Sequence, residues 1–445
     1  MEKLVSNVNT SGTHGNRVRF IGAGIFFKLA LDLSYVAYLS DAFSDHFLTP
    51  FVVNFSLLQY LESFFWLVAI LVFVPFTSSS AGGLVFFTAI IFLFAPMSTM
   101  FGLDYERSRT ALALATITIF SAYLVSIVTF GKKVALPTVV NGQKKLLVIC
   151  FVFAAFFLGL AASSGALFRM NFDLDLVYDF RAEMGQLVNQ GVFVYPNLWS
   201  QKIFTPLLLA IGLHRKSFWL VVFALSMHVI YFGVTQHRAH LFAPLLVFLA
   251  HYLYRKEFSY AGGFFVAAIG LVIVNSAIFL FELYDIGALL VRRALFVGAS
   301  VTYSWVDYFS ENPKVYFADN LLSSFVNNDY TGVNLPLFMG DYMRFDMLVS
   351  FNSGVVGAGF AQLGVFGVAL YGAILGVFIR LNDKVIESGV PPYIIAAILF
   401  LPYRIVWADS DLFTAILSHG IMVGTFAAWF YGCPENTSYY RKFLP

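Results

Sequence analysis

Charge is what this chain has least of. Asp, Glu, Lys and Arg supply 12% of its 445 residues, against 59% hydrophobic. Soluble globules carry about a quarter charged residues and disordered chains are poor in apolar ones, so both classes are excluded. Cysteine is almost missing: Cys150 and Cys433 stand alone near the ends of apolar windows, form no disulfide framework and read as free thiols. No Walker A sequence, no dinucleotide Gly-rich turn and no HExxH occurs, so nothing signals a nucleotide or zinc site, and no cofactor or metal is expected. No internal repeat, low-complexity tract or domain boundary divides the chain.

What is present is hydrocarbon. A mean hydropathy of +0.79 and 52 Phe fit an all-α polytopic membrane protein, one transmembrane domain over residues 1–445. Apolar windows fall at about 20–39, 55–76, 82–100, 110–130, 146–162, 199–213, 217–234, 239–254, 260–281, 353–379, 392–408 and 412–431, which predicts about 12 transmembrane helices. The first nineteen residues are polar, carry Lys3, Arg17 and Arg19 and lack an A-x-A-like site, so the first window reads as a signal-anchor. Lys132, Lys133, Lys144, Lys145, Arg215, Lys216, Arg255, Lys256, Arg380, Lys384, Arg441 and Lys442 all fall on the side of that basic N-terminus. By the positive-inside rule that side is the cytoplasm, and both termini are expected there. Two larger loops, 163–198 and 282–352, then face the opposite compartment.

The second of these is the longest stretch outside the apolar windows. It gathers Arg292, Arg293, Asp307, Glu311, Lys314, Asp319, Asp341, Arg344 and Asp346 among Tyr303, Trp305, Tyr308, Tyr316, Tyr330 and Tyr342. In so apolar a chain such a segment is where recognition or chemistry is expected. Its start reads as a helix on the membrane surface: Leu289, Leu290, Arg293, Phe296 and Val297, then Val301, Trp305, Tyr308 and Phe309, recur at helical spacing, and Pro313 stops the run. Asn352 or Ser353 can cap the tenth window, whose outer half is rich in small residues, while Gly372 and Gly376 give a GxxxG helix-packing spacing.

Without a nucleotide site, the energy for any reaction must arrive with the substrate. On the outer side of a bacterial-type inner membrane that substrate is commonly a lipid-linked diphosphate, which guanidinium groups grip bidentately. Outward arginines are Arg107, Arg109, Arg169, Arg181, Arg238, Arg292, Arg293 and Arg344, each of which also fits a snorkelling or surface charge. Arg404 lies inside an apolar window, a functional candidate by default. Lys28 and Asp32, one helical turn apart in the first window, read as a mutually neutralising pair. The turn from Thr235 to His240 either lines the same cavity or caps a hairpin.

Several stretches together resemble the Wzy-type polymerases of O-antigen and related surface polysaccharides. They are Arg292 to Phe296, Tyr303 to Pro313, Gly340-Asp341-Tyr342, Asn352-Ser353-Gly354 running on to Gly367, Ala408 to Thr414, and Tyr178 to Ala182. The resemblance implies a GT-C-like membrane glycosyltransferase of the bacterial inner membrane with its two loops periplasmic. It would transfer a growing polysaccharide from undecaprenyl diphosphate to an incoming undecaprenyl-diphosphate-linked oligosaccharide, beside a flippase and a chain-length regulator, with no nucleic-acid partner. On that reading Arg292 and Arg293 stabilise the leaving diphosphate; Arg181, Arg344, Arg238 and Arg404 bind substrate; and Asp341, Glu311 or Asp319 serves as base. Tyr303, Trp305 and Asn352 meet sugar. An O-antigen ligase would share this architecture but tends to use a histidine in the large loop, and this loop has none. A flippase would call for repeats and buried mid-membrane polar groups, and a scaffold would not need so many arginines at one interface.

Overall fold

The computed structural model describes residues 10–44, 50–77, 79–129, 136–137, 139–173, 180, 184, 187–188, 191–237, 239–255, 259–319, 324–343 and 350–432. Among them the chain is helical and contains no strand; a single isolated bridge pairs Asn54 with Asp104. The helices are α1 (10–42), α2 (Leu57–Phe73), α3 (Ala81–Leu103), α4 (Arg109–Val128), α5 (Gly142–Ser163), α6 (194–214), α7 (Phe218–Thr235), α8 (Ala239–Arg255), α9 (Tyr260–Phe281), α10 (Tyr284–Glu311), α11 (Leu335–Met343), α12 (Val355–Glu387), α13 (Pro392–Ala408), α14 (Leu412–Leu417) and α15 (Ile421–Tyr431). Each of the twelve apolar windows is helical. Nine helical stretches among the described residues are long and apolar enough to cross a membrane, and α2, α8 and α13 are shorter apolar helices.

The local causes are ordinary ones. Ser80, Ser108 and Ser259 turn their hydroxyls onto the first free N–H groups of α3, α4 and α9. Gly372 and Gly376 let α12 close on α4, for a Cβ there would stand 2.4 and 2.5 Å from the carbonyl oxygens of Thr118 and Ala122. The Lys28–Asp32 pair is buried and closed: Nζ donates to both carboxylate oxygens at 2.9 Å, Thr99 Oγ1 donates at 2.7 Å and the Tyr60 hydroxyl at 3.0 Å. Its neighbours satisfy it, as a structural pair requires.

Two elements differ from regular rods. α12 carries non-helical backbone at Leu363 and Gly364, and Gly364 sits at φ +63°, ψ −143°, where only glycine is unstrained. Its first arm, 355–362, folds back on its second: Gly359 lies against Gly367 and the Tyr371 ring. The carbonyls of Ala361 and Gln362, left open where the arm ends, accept the N–H groups of Val315 and Tyr316 at 2.9 and 3.0 Å. The tenth apolar window is thus a helical hairpin, which carries Gly354 down to the Trp407 carbonyl.

The second is α10. Sequence periodicity gives it one aromatic face, yet from Gly298 to Thr302 every residue is buried, as are Tyr303, Trp305, Val306 and Phe309. The covering layer is the rest of the same segment: Tyr308 meets Tyr342 and Phe338 at ring separations of 4.6 and 5.8 Å, and Phe309 meets Tyr330 at 5.8 Å. The other face meets α1, α3 and α13 through Tyr38 to the Tyr284 carbonyl, Tyr303 to the Met97 carbonyl, and Gly298 against Ala408.

Candidate functional site

Where the α12 hairpin, α10 and the 408–414 segment converge, they leave a cavity of about 130 Å³. Trp305 gives it an aromatic wall; Asp319, Asn352, Ser353, Gln362, Ser410, Asp411 and Thr414 give it polar ones. So many acceptors and hydroxyls around one aromatic ring suit a polyhydroxylated ligand with apolar faces.

Each polar side chain is held by the local fold. The Trp305 indole donates to the Phe351 carbonyl at 3.0 Å, which fixes the ring against the entry to α12. Gln362, at the tip of the short arm, accepts from the Phe317 N–H at 2.6 Å and donates to Asp319 at 3.1 Å, so the hairpin itself aims the Asp319 carboxylate. Asp411 caps α14 by accepting from the Phe413 N–H at 2.9 Å, and the Tyr371 hydroxyl donates to its other oxygen at 3.0 Å. Burial pushes the Asp411 carboxyl above its ordinary range; the N–H groups of Phe413 and Thr414 and the Tyr371 hydroxyl pull it back, and the Asp319 charge adds to the rise. Two carboxylates that feel each other in a small cavity are a proton-handling arrangement. Lys314, which is not part of the cavity lining, reaches the Phe309 carbonyl and lies 4.1 Å over the Phe360 ring, with burial pulling its amine down.

Of the residues singled out from sequence, Asn352 lines this cavity, exposed to it, and Trp305 walls it. Tyr303, two residues from Trp305, points the other way and is wholly buried against Met97. Glu311 and Asp341 are exposed. Arg292 is half-buried against the Phe43 ring at 4.8 Å and Arg293 is exposed. Both lie thirteen or twelve residues before Trp305 on α10, about 20 Å along its axis. Arg404 pairs with Asp409, next to Ser410 of the cavity wall, over the Phe92 ring. Arg181, Arg238 and Arg344 lie outside the described residues.

Sequence reasoning left Asp411 and Gln362 without a role, although both stand in the stretches that carry the family resemblance. A carboxylate just before an apolar run is a helix-cap signal, and the same geometry turns Asp411 inward. Lys202 and His419 were missed too, though each lies inside an apolar window, where ionisable groups are rare. Among the described residues no group of three or more His, Cys, Asp and Glu is placed to hold a metal ion. Comparisons with protein-family models, with curated proteins and with solved structures found no match to this chain.

Proposed function

We propose that this chain is a membrane glycosyltransferase that polymerises lipid-diphosphate-linked oligosaccharide repeat units, working at the periplasmic face of a bacterial inner membrane. The observation that carries the reading is the cavity at the α12 hairpin, where an indole wall, a carboxylate pair and a ring of amides and hydroxyls meet beside apolar helices. Its contents suit a sugar, and its setting suits a sugar delivered on a lipid.

In the reaction an acceptor hydroxyl attacks the anomeric carbon of the donor, with inversion. Its proton passes to the Asp411 or Asp319 carboxylate, the new C–O bond forms, and the bond from the anomeric carbon to the phosphate oxygen breaks. Undecaprenyl diphosphate leaves with that electron pair. Asp411 is the favoured base because its raised affinity for protons improves the match to a hydroxyl. Asp319 is held in place by Gln362 and adds negative charge beside it. Trp305 offers its face to the sugar ring and Asn352 its amide.

Polymerisation uses two lipid diphosphates. One leaves at the reacting carbon; the other sits at the far end of the incoming repeat unit. Arg292 and Arg293, about 20 Å from Trp305 along α10, suit the remote one. Arg404, tethered by Asp409 next to the cavity, suits the near side.

The test is a chain-length ladder from cells carrying Asp411→Asn or Asp319→Asn at wild-type abundance. Loss of the base is expected to slow transfer about a hundredfold or more, collapsing the ladder to single repeat units. A wild-type ladder from both variants would remove the carboxylate pair from the chemistry.

A further inference from the structure

We propose that Lys202 and His419, with His237 beside them, form the seat of the donor's diphosphate, a cationic site at the far end of α14 from Asp411. The inference rests on the glycosyl-transfer reading and supplies the leaving-group side of it.

The geometry comes from three breaks in regular helix that meet. Lys202 sits in a π-helical segment of α6, Ser200–Phe204, a distortion that recurs at functional sites. His419 sits in the gap between α14 and α15, where Ser418 and His419 both return their N–H groups to the Thr414 carbonyl. His237 sits in the turn between α7 and α8, close enough for its charge to bear on His419, with the His240 ring 6.0 Å from its own. The gap is fastened to α6 on both sides of the cluster. Trp199 Nε1 donates to the Leu417 carbonyl at 2.7 Å, and Gly420, at φ +88°, packs on Ile203 where a Cβ would stand 2.7 Å from that side chain.

Lys202 Nζ lies 2.5 Å from His419 Nδ1. An ammonium only donates, so Nδ1 accepts and the imidazole carries its proton on Nε2, which leaves Nε2–H and the remaining ammonium hydrogens as donors. Among the described residues no carboxylate pairs with Lys202, whereas Lys28 and Arg404, also inside apolar helices, each pair with an aspartate. An ammonium with imidazoles as company, and no carboxylate partner among the described residues, calls for an anion. A phosphate oxygen is the one that the reading provides. Thr414, whose carbonyl holds the His419 backbone, also lines the carboxylate cavity. The six residues of α14 therefore separate base and cation by about 9 Å of helix axis. One short helix would thus hold the acceptor's proton at its start and the leaving group's charge at its end.

The test is binding of a short-chain prenyl diphosphate to the purified full chain in nanodiscs of zwitterionic lipid, with the matching prenol, inorganic pyrophosphate and phosphatidylglycerol discs as further arms. Lys202→Met and His419→Gln are expected to weaken the prenyl diphosphate tenfold or more and leave the prenol unchanged, and Lys202→Arg to retain most of the affinity; size-exclusion profiles check each fold. Wild-type affinity in folded Lys202→Met and His419→Gln, while the wild-type protein still extends glycan chains, would overturn the site and leave the glycosyltransferase standing. Wild-type protein that binds no prenyl diphosphate and extends no chain would overturn both. Equal Lys202-dependent affinity for inorganic pyrophosphate would assign the cluster to a free anion, and a Lys202-dependent effect seen only in phosphatidylglycerol discs to a lipid headgroup; either overturns the proposal.

Discussion

Replacing Gly367 by alanine should damage this protein more than an ordinary glycine substitution in a membrane helix. A Cβ at 367 would stand 2.1 Å from the Gly359 carbonyl oxygen and 3.0 Å from the Leu363 side chain, while ordinary contact begins at 3.4 Å, so the two arms of α12 must part by more than 1 Å. Overpacking of that kind costs about 1–3 kcal/mol. The Gly359 position is milder, its Cβ meeting Gly367 and Tyr371 at 3.2 Å, and Gly270 in α9 has open space around it. At Gly270 alanine should even help, by up to about 1 kcal/mol of helix propensity. Thermal unfolding of the three variants in one detergent should rank them Gly270→Ala, Gly359→Ala, Gly367→Ala from most to least stable. Gly367→Ala should also impair transfer, because the displaced short arm carries Gln362 and with it the aim of Asp319. A Gly367→Ala protein as stable as Gly270→Ala would mean that the arms do not touch, and the hairpin and the cavity it shapes would fall together.

Lys28→Met should cost about 3–5 kcal/mol, since it strands the Asp32 charge among buried partners; pairing it with Asp32→Leu should recover most of the loss in the same unfolding assay. Asp411 gives a pH signature. Its carboxyl binds a proton more tightly folded than unfolded, so its contribution to stability declines as pH rises from the ordinary carboxylate value through the raised one. Transfer runs the opposite way, rising with pH through an inflection above the ordinary carboxylate range, and Asp411→Asn should erase that inflection. Tyr371→Phe removes a hydrogen bond that favours the ionised carboxylate, so the inflection should move to higher pH. An unmoved profile would show that Tyr371 does not position Asp411.

The apolar windows were legible because hydropathy over twenty residues is a local signal, and so was the Lys28–Asp32 pair, since one helical turn fixes that contact. Gly372 and Gly376 were legible as a packing face for the same reason. The hairpin was not. Asn352 to Gly367 and the run beyond it read as one long apolar window, and only the contact of Gly359 with Gly367 reveals that the chain turns back on itself at Gly364. The cavity inherits that blindness: Trp305, Asp319, Gln362 and Asp411 are brought together by long-range packing that no spacing rule encodes. Arginine counting singled out Arg292 and Arg293, which lie about 20 Å from Trp305 along α10. Lys202 was hidden by its surroundings, one cation in an apolar run with its partner more than two hundred residues away.

The most direct measurement is product formation by the purified protein in nanodiscs, supplied only with a synthetic lipid-diphosphate repeat unit and neither metal nor nucleotide. The expected result is a ladder of products spaced by one repeat unit, with undecaprenyl diphosphate released in step, and collapse of the ladder in Asp411→Asn. Folded protein that makes no new glycosidic bond from its cognate repeat unit, or that transfers the glycan only when lipid A core is added, would contradict the polymerase reading.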